Sequence, residues 1–217
     1  MITTTTTTSH SDRLLVVLSR WRVNLGTVLT IVAMAVAHPG HPEILRAMPL
    51  VLLGVGIRTW ARGHLNRRDR LTTTGPYRLV RHPLYVGSFL IGLGVSAMLG
   101  AWFVPILFTI TYVAMYLPKG IREDRFLLSK YGREYQDYAA RVGAIFPRLS
   151  TAAVETGAGP AIHWEWRRVM GHREWKTWLG VAAVVGGLWI IASIIPSSSG
   201  ASWHLWSPLL SLRNSRT

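Results

Sequence analysis

Long apolar runs separated by short polar segments dominate the chain. Five of them approach or reach the roughly 20 residues that a helix needs to cross the hydrocarbon core of a bilayer. They lie at 23–37, 49–57 with its flanks, 84–99, 102–117 and 178–195. The pattern predicts an all-α, polytopic membrane protein with about five transmembrane helices.

The segments between the runs predict how these helices are connected. Little more than Gly100 and Ala101 separates the third and fourth runs, which predicts a tight helical hairpin. Residues 119–142 place apolar side chains at helical spacing among charged ones, as in an amphipathic helix that leaves the membrane and folds over its face. Pro105 lies inside the fourth run and predicts a kink there.

Shifts in composition divide the chain into four parts. A polar, threonine-rich stretch is expected to be disordered, and a Gly/Ala/Thr-rich linker separates the membrane core from a final part, in which a basic, Trp-rich interfacial helix precedes one more span. The bounds are 1–12 for the N-terminus, 13–149 for the core, 150–162 for the linker and 163–217 for the last part. The final span looks appended, because beyond tryptophan it offers no polar side chain for a site.

Charge then adds an orientation. The 217 residues include 24 Lys and Arg against 10 Asp and Glu. With the N-terminus in the cytoplasm, the segments on the other side hold only Arg46, Arg213 and Arg216. This is the positive-inside pattern, and it accounts for the basic charge without nucleic acid. We expect an integral protein of a bacterial inner membrane, with its functional region facing the cytoplasm and membrane lipids as neighbours.

Several common kinds of site are absent from the sequence. There are no cysteines, so disulfides and thiolate chemistry are excluded. His38, His41 and His64 do not have a convincing metal-ligand spacing, and we predict no metal site. The glycines at 92 and 94 follow no strand, which argues against a Rossmann fingerprint.

Polar side chains at membrane depth are costly and therefore indicate function. In this chain they concentrate at the mouths of two spans that the predicted hairpin brings to the same side. Those at the start of the third span are Arg81, His82, Tyr85 and Ser88, and those at the end of the fourth are Lys119, Arg122, Glu123 and Asp124. We expect both sets to line one pocket.

The region from 75 to 148 resembles a known family. Its elements are Gly75-x-Tyr77, then Arg81-His82-Pro83-x-Tyr85-x-Gly87, the acidic pair Glu123-Asp124, Tyr131-Gly132-x-x-Tyr135-x-x-Tyr138 and Phe146-Pro147-Arg148. In this order and spacing they resemble the isoprenylcysteine carboxyl methyltransferase family and the wider membrane phospholipid methyltransferases. The resemblance covers about a third of the chain, with the chemistry-bearing segments at 69–88 and 119–148.

The resemblance implies a methyltransferase that uses S-adenosylmethionine as cofactor. It assigns cofactor binding to Leu71, Thr72, Tyr77, His82, Pro83, Leu84, Tyr85 and Glu123, with His82 and Glu123 as candidate catalytic residues. A basic residue one helical turn before the acid contacts the acceptor in the family, which points to Lys119, or to Arg122 in its place. The implied acceptor is a lipophilic small molecule or a lipid-anchored group that carries a carboxylate or a lipid amine.

Other interpretations of the same residues stay open. Sterol reductases have a similar Arg-His-Pro-x-Tyr-x-Gly pattern, so an NADPH-dependent membrane reductase is an alternative, and an inactive membrane relative is another. Arg78 and Arg81 suit positive-inside anchors. Glu123 and Lys119 suit an i,i+4 ion pair. The tyrosines at 131, 135 and 138 suit packing.

Overall fold

A computed structural model describes residues 39–66, 70–148 and 163–194. The first predicted span at 23–37, the stretch at 1–12 and the linker at 150–162 lie outside the described residues. The helices are α1 (His41–His64), α2 (Pro83–Met98), α3 (Phe103–Tyr131), α4 (Arg133–Arg141), α5 (Trp166–Gly171) and α6 (Trp175–Ile194), and a 3₁₀ turn covers Gly75–Arg78. Within these ranges the extended structure is a single bridge between Val80 and Gly143.

The predicted fold class is confirmed. Helices α1, α3 and α6 are long and apolar enough to cross a membrane, with 24, 29 and 20 residues. Helix α2 is also apolar but has 16 residues, which is short for a full crossing. These four helices correspond to the second to fifth predicted spans.

Glycines set the packing of α1 against α2. A Cβ atom on Gly54 would lie 2.6 Å from the backbone oxygen of Gly87, and one on Gly94 would lie 2.6 Å from a methyl carbon of Val51. The two backbones therefore approach as closely as small residues allow, as is common between helices in lipid. Gly87 near the start of α2 contacts Gly54, whereas Gly94 further along α2 contacts Val51, which comes earlier on α1. The two helices therefore run antiparallel.

The hairpin between α2 and α3 is confirmed, and Gly100 turns the chain with a positive φ of 74°. The helix that follows differs from expectation. Helix α3 continues through Pro118 without a break to Tyr131, and Gly132, which has a φ of 55°, caps its end. The predicted separate helix over 119–142 is therefore wrong: its first half extends the fourth span and its second half is α4. The expected kink at Pro105 is also not supported, because this proline stands in the first turn of α3, where its missing N–H would have no acceptor.

The final span is less separate than its composition suggests. The indole nitrogen of Trp178 donates to Thr59 at 3.1 Å, while at the other end His41 lies 3.2 Å from Ser193. Helix α6 therefore runs antiparallel along α1. Its apolar side chains join one core that is shared with α1 and the hairpin, formed by Ile44, Ala47, Val51, Met98, Leu99, Val104, Leu188 and Ala192.

This topology brings four helix ends together. The ends of α1 and α3 and the starts of α2 and α6 lie on one side of the bundle, which we call the basic end. Arg46 lies on the opposite side, near the start of α1. The other described lysines and arginines follow residue 57 and lie toward the basic end, as the charge pattern of the sequence predicted.

Candidate active site

A cavity of about 790 Å³ opens at the basic end. Its walls come from the end of α1, the loop up to Thr72, the start of α2, the second half of α3 and α4. Seven cationic side chains line it, namely Arg58, Arg62, Arg70, Arg81, Lys119, Arg122 and Lys130, together with the carboxylate of Glu123. The cavity therefore carries an excess of positive charge.

Asp124 was expected to line this cavity and does not, whereas all ten residues nominated for binding the cofactor or the acceptor do. They are Leu71, Thr72, Tyr77, His82, Pro83, Leu84, Tyr85, Lys119, Arg122 and Glu123. They come from three separate stretches of chain. The hairpin between α2 and α3 brings the second and third stretches together as expected, and packing on α4 places the first. Their roles stay predictions, since the geometry gives their position and contacts.

Backbone pairing fixes the Arg81-His82 pair. The amide of Arg81 donates to the carbonyl of Gly143 at 2.8 Å, and the amide of His82 donates to that of Ala144 at 3.0 Å. Pro83 then begins α2 at the position where a proline is best tolerated. The motif is thus held extended against the segment that follows α4, with both side chains directed to the cavity.

Asp124 joins this pair to α4. One carboxylate oxygen lies 2.9 Å from Nε2 of His82, and the other accepts a bond from Arg81 at 2.7 Å. The hydroxyl of Tyr135 donates to Asp124 and accepts from Arg81 at 3.1 Å. Burial and the adjacent carboxylate raise the pKa of Tyr135 to about 12, so its hydroxyl keeps its proton and remains a donor. Asp124, Arg81, His82 and Tyr135 form what we call the motif network.

Glu123, the neighbouring acid, is placed differently. Its side chain is 47% exposed and accepts a bond from the Tyr85 hydroxyl at 2.5 Å. Its carboxylate lies 4.0 Å from Nδ1 of His82. The His82 ring stacks on Tyr85 with centroids 5.2 Å apart. Of these two consecutive acids, Asp124 is bound by three protein side chains, whereas Glu123 faces the cavity.

Aromatic rings border the cavity on the side of α3. The ammonium of Lys119 lies 5.0 Å from the ring centroid of Tyr85 and 5.4 Å from that of Tyr116. Tyr116 stacks on Tyr112 at 4.1 Å, and the Tyr112 hydroxyl donates to the backbone of Tyr85 at 2.8 Å. This group closes the interface between α2 and α3 below the cavity.

The opposite wall is formed by the loop after α1. Thr72 receives a bond from the backbone amide of Asn66 at 3.1 Å, which holds Thr72 close to the end of α1. Tyr138 donates to the carbonyl of Tyr77 at 2.7 Å, and burial raises its pKa above the usual range. Leu71, Tyr135, Tyr138 and Val142 pack together as a small core of their own. The loop is therefore fixed to α4 by buried contacts.

Sequence reasoning missed three residues at this site. Arg58 and Arg62 lie one helical turn apart on α1 and line the cavity. Both bind Glu174, which is 1% exposed and precedes α6. Two arginines at i,i+4 at the end of an apolar span were a signal, since buried charges require partners. The partner was not visible, because it lies more than 100 residues away and belongs to no motif.

Comparisons with known proteins give the class. The sequence pattern of the phospholipid methyltransferase family matches residues 50–134. The chain is 38% identical to the cobalt-zinc-cadmium resistance protein CzcN of Cupriavidus metallidurans, over 61% of this chain and 67% of that protein. It is 35% identical to the nickel-cobalt-cadmium resistance protein NccN of Alcaligenes xylosoxydans xylosoxydans, over 61% of this chain and 68% of that protein.

Methyltransferases are also among the relatives. A probable protein-S-isoprenylcysteine O-methyltransferase of Oryza sativa subsp. indica is 31% identical over 48% of this chain and 55% of its own length. The fold defines a helical membrane protein with a charged cavity at one end of the bundle. The chain belongs to the isoprenylcysteine carboxyl methyltransferase family, whose members are membrane methyltransferases.

Two of these relatives are named for metal resistance, so metal-binding groups are of interest. In the three described ranges, no group of three or more His, Asp or Glu side chains is placed to hold a metal ion. The geometry of the cavity instead provides aromatic faces, the partly exposed carboxylate of Glu123 and several cations.

Proposed function

We propose that the cavity binds S-adenosylmethionine and that the protein transfers its methyl group to a lipophilic acceptor. The observation that carries this proposal is the convergence of all ten nominated residues on one cavity at the membrane boundary. A site at that level is open to a water-soluble cofactor and to a lipid-soluble acceptor.

The side chains present fit the cofactor. It supplies an electrophilic methyl group on a sulfonium, and aromatic faces such as those of Tyr85 and Tyr116 attract such a cation. The carboxylate of Glu123 suits its ammonium or its ribose hydroxyls. Leu71, Thr72 and Tyr77 would form the wall on the loop side. Much of the rate would come from holding the methyl group and the acceptor in line.

His82 is the candidate for handling a proton. A carboxylate acceptor needs no base, whereas an amine acceptor must lose a proton during transfer. Nε2 of His82 lies 2.9 Å from Asp124, which orients the ring and stabilises a positive charge on it. Nδ1 is then the nitrogen available to take a proton, either directly or through Glu123.

Lys119 and Arg122 are proposed to bind an acidic group of the acceptor. Lys119→Ala should raise the KM for the acceptor or lower kcat and leave cofactor affinity nearly unchanged. Initial rates at varied acceptor concentration, with calorimetry for the cofactor, measure the two effects separately. Equal loss of cofactor binding would place Lys119 in the cofactor site, and full activity on an acceptor without a lipid tail would contradict the lipophilic route.

A binding experiment on the full chain in detergent tests the cofactor. We expect S-adenosylhomocysteine to bind in calorimetry and NADPH to show no saturable heat. Binding of NADPH alone would favour the reductase, and binding of neither nucleotide would favour an inactive relative. Either of these results would contradict the proposal.

The proposed location is a bacterial inner membrane with the basic end in the cytoplasm. The clustering of cations at the basic end supports this orientation. Reporter fusions after Arg148 and after Arg213 should report opposite sides of the membrane, and the same side for both would contradict it.

A further inference from the structure

The segment 163–194 follows the region matched by the family pattern, yet it is fixed to the wall of the cavity. The backbone amide of Glu165 donates to the carbonyl of Gly63 at 3.1 Å, and His172 lies 3.2 Å from the carbonyl of Leu65. These contacts reach the last turn of α1 and the first residue after it. They place Glu174 beside the two arginines that line the cavity.

Glu174 binds both arginines at once. The Nε of Arg58 donates to Oε1 at 2.7 Å, and its Nη2 donates to Oε2 at 3.1 Å. The Nε of Arg62 donates to Oε2, also at 3.1 Å. Arg58 further donates to Ser88 on α2 and, at 3.2 Å, to Thr177 on α6. One carboxylate thus holds two guanidiniums, and Arg58 connects three helices.

This arrangement answers an electrostatic problem on α1. Arg58 and Arg62 are like charges at i,i+4, which repel each other on one face of a helix. The carboxylate between them removes the repulsion, and its own burial is tolerated because it has two charged partners. The group of three keeps a net positive charge. We call these three residues the C-terminal network.

Its donors are not all used inside the protein. Both Nη nitrogens of Arg62 lack a hydrogen-bond partner among the residues that the structure describes. The side chain is 17% exposed and lines the cavity. A guanidinium that is held by its Nε and presents its Nη groups is suited to bind a carboxylate or a phosphate.

We propose that Glu174 is a positioning residue that orients Arg58 and Arg62 as an anion-binding wall of the cavity, so that the segment 163–194 completes the site. The ligand group is a carboxylate or a phosphate. It belongs either to the amino-acid part of the cofactor or to the acceptor, and in the first case the inference rests on the proposed function.

The test uses three probes on the full chain in detergent. S-adenosylhomocysteine carries the amino-acid carboxylate, 5′-methylthioadenosine lacks it, and dodecyl phosphate is an anion on an apolar tail. Glu174→Gln keeps the shape of the side chain and removes its charge. The control is Glu165→Gln, the same change on the same segment at an exposed ion pair with Arg168.

We expect Glu174→Gln to weaken binding of one anionic probe about tenfold, as the loss of an oriented charged bond implies. If the source is the cofactor, S-adenosylhomocysteine weakens and 5′-methylthioadenosine does not. If it is the acceptor, dodecyl phosphate weakens and both nucleosides keep their affinity. Glu165→Gln should leave all three affinities unchanged.

Other results would overturn the inference. Equal weakening of all three probes would show that Glu174 has a merely structural role. Unchanged affinity for all three would show that Glu174 does not affect the site. Tighter anion binding would mean that Glu174 only neutralises charge. Should Glu174→Gln fail to fold, Glu174→Asp keeps the charge and shortens the reach, and the same selectivity with a smaller change is expected. Failure of S-adenosylhomocysteine to bind the unmodified protein would contradict the proposed function, while the dodecyl phosphate arm would still decide this inference.

Discussion

Two charged networks contribute side chains to the cavity, and they differ in how they are built. The motif network joins Arg81, His82 and Tyr135 to Asp124 through residues that lie within 54 positions of one another. The C-terminal network joins α1 to Glu174 across 116 and 112 positions. Both use one carboxylate to hold two cationic or potentially cationic side chains. A recurring motif thus supplies one part of the site, while a part of the chain outside that motif supplies another.

The largest expected effect comes from breaking the motif network. Asp124→Asn removes the charge that pairs with Arg81 and orients His82. We expect a loss of about 2–4 kcal/mol in the free energy of unfolding, because a partly buried cation is left unpaired. Denaturant titration in mixed micelles measures the loss. Asp137→Asn, at an exposed position on α4, is the control and should be nearly neutral.

If Asp124→Asn and Asp137→Asn lower the free energy of unfolding equally, the motif network does not stabilise this part of the protein. If Asp124→Asn instead weakens anion binding as much as Glu174→Gln does, the two networks are not independent. Sites without shared partners are expected to be additive, so the double variant with Glu174→Gln distinguishes these cases.

The next target is Gly87 on α2, which lies where α2 packs against α1 beside Arg58. A Cβ atom on Gly87 would lie 2.6 Å from Cγ of Arg58 and 2.8 Å from the carbonyl oxygen of Gly54. Gly87→Ala should therefore force α1 and α2 apart, at a cost of about 3 kcal/mol in unfolding free energy. Gly56→Ala on α1 meets no atom within 4 Å and should be neutral or slightly stabilising. A stable Gly87→Ala variant would mean that the close approach is not needed.

The third target is Glu123, which lies next to the motif network and faces the cavity. Glu123→Gln keeps the shape and removes the charge, so S-adenosylhomocysteine should bind more weakly by about 1–3 kcal/mol if a charged hydrogen bond is lost. Calorimetry measures the change, and an unchanged thermal midpoint shows that the fold is intact. Glu134→Gln, exposed on α4, is the matched control. Unchanged affinity in a folded Glu123→Gln protein would reject this assignment.

The smallest effect is expected at Tyr135. Its hydroxyl keeps its proton, since its pKa lies near 12, and it supports Asp124 and Arg81. Tyr135→Phe should lower the free energy of unfolding by about 1 kcal/mol, because the hydrogen bonds of the hydroxyl to Asp124 and Arg81 are lost. Combined with Asp124→Asn, the loss should be smaller than the sum of the two single losses, because the partners are shared. Strict additivity would show that the hydroxyl contributes nothing to the motif network.

The sequence predicted the position of the motif residues well, because the features that indicate them are local in the chain. Apolar runs of sufficient length predicted the helices, and the short Gly100-Ala101 connection predicted which spans share a side. Given that hairpin, the start of α2 and the second half of α3 had to lie near each other, which placed His82 beside Glu123. The boundary of α3 was predicted less well, since the charged residues from Lys119 onward were assigned to a separate amphipathic helix, whereas α3 continues to Tyr131.

The membrane class, the basic end and the residues of the motif were therefore predictable from the sequence, because hydropathy, charge and spacing act over short distances along the chain. The partners of the two adjacent acids, and the distant acid that pairs with Arg58 and Arg62, became visible only in the folded protein. A helix turns 100° per residue, so neighbouring carboxylates point to different surroundings. A lone buried glutamate can pair with any arginine that the fold brings near. These outcomes depend on how the helices pack, and spacing along the chain does not encode them.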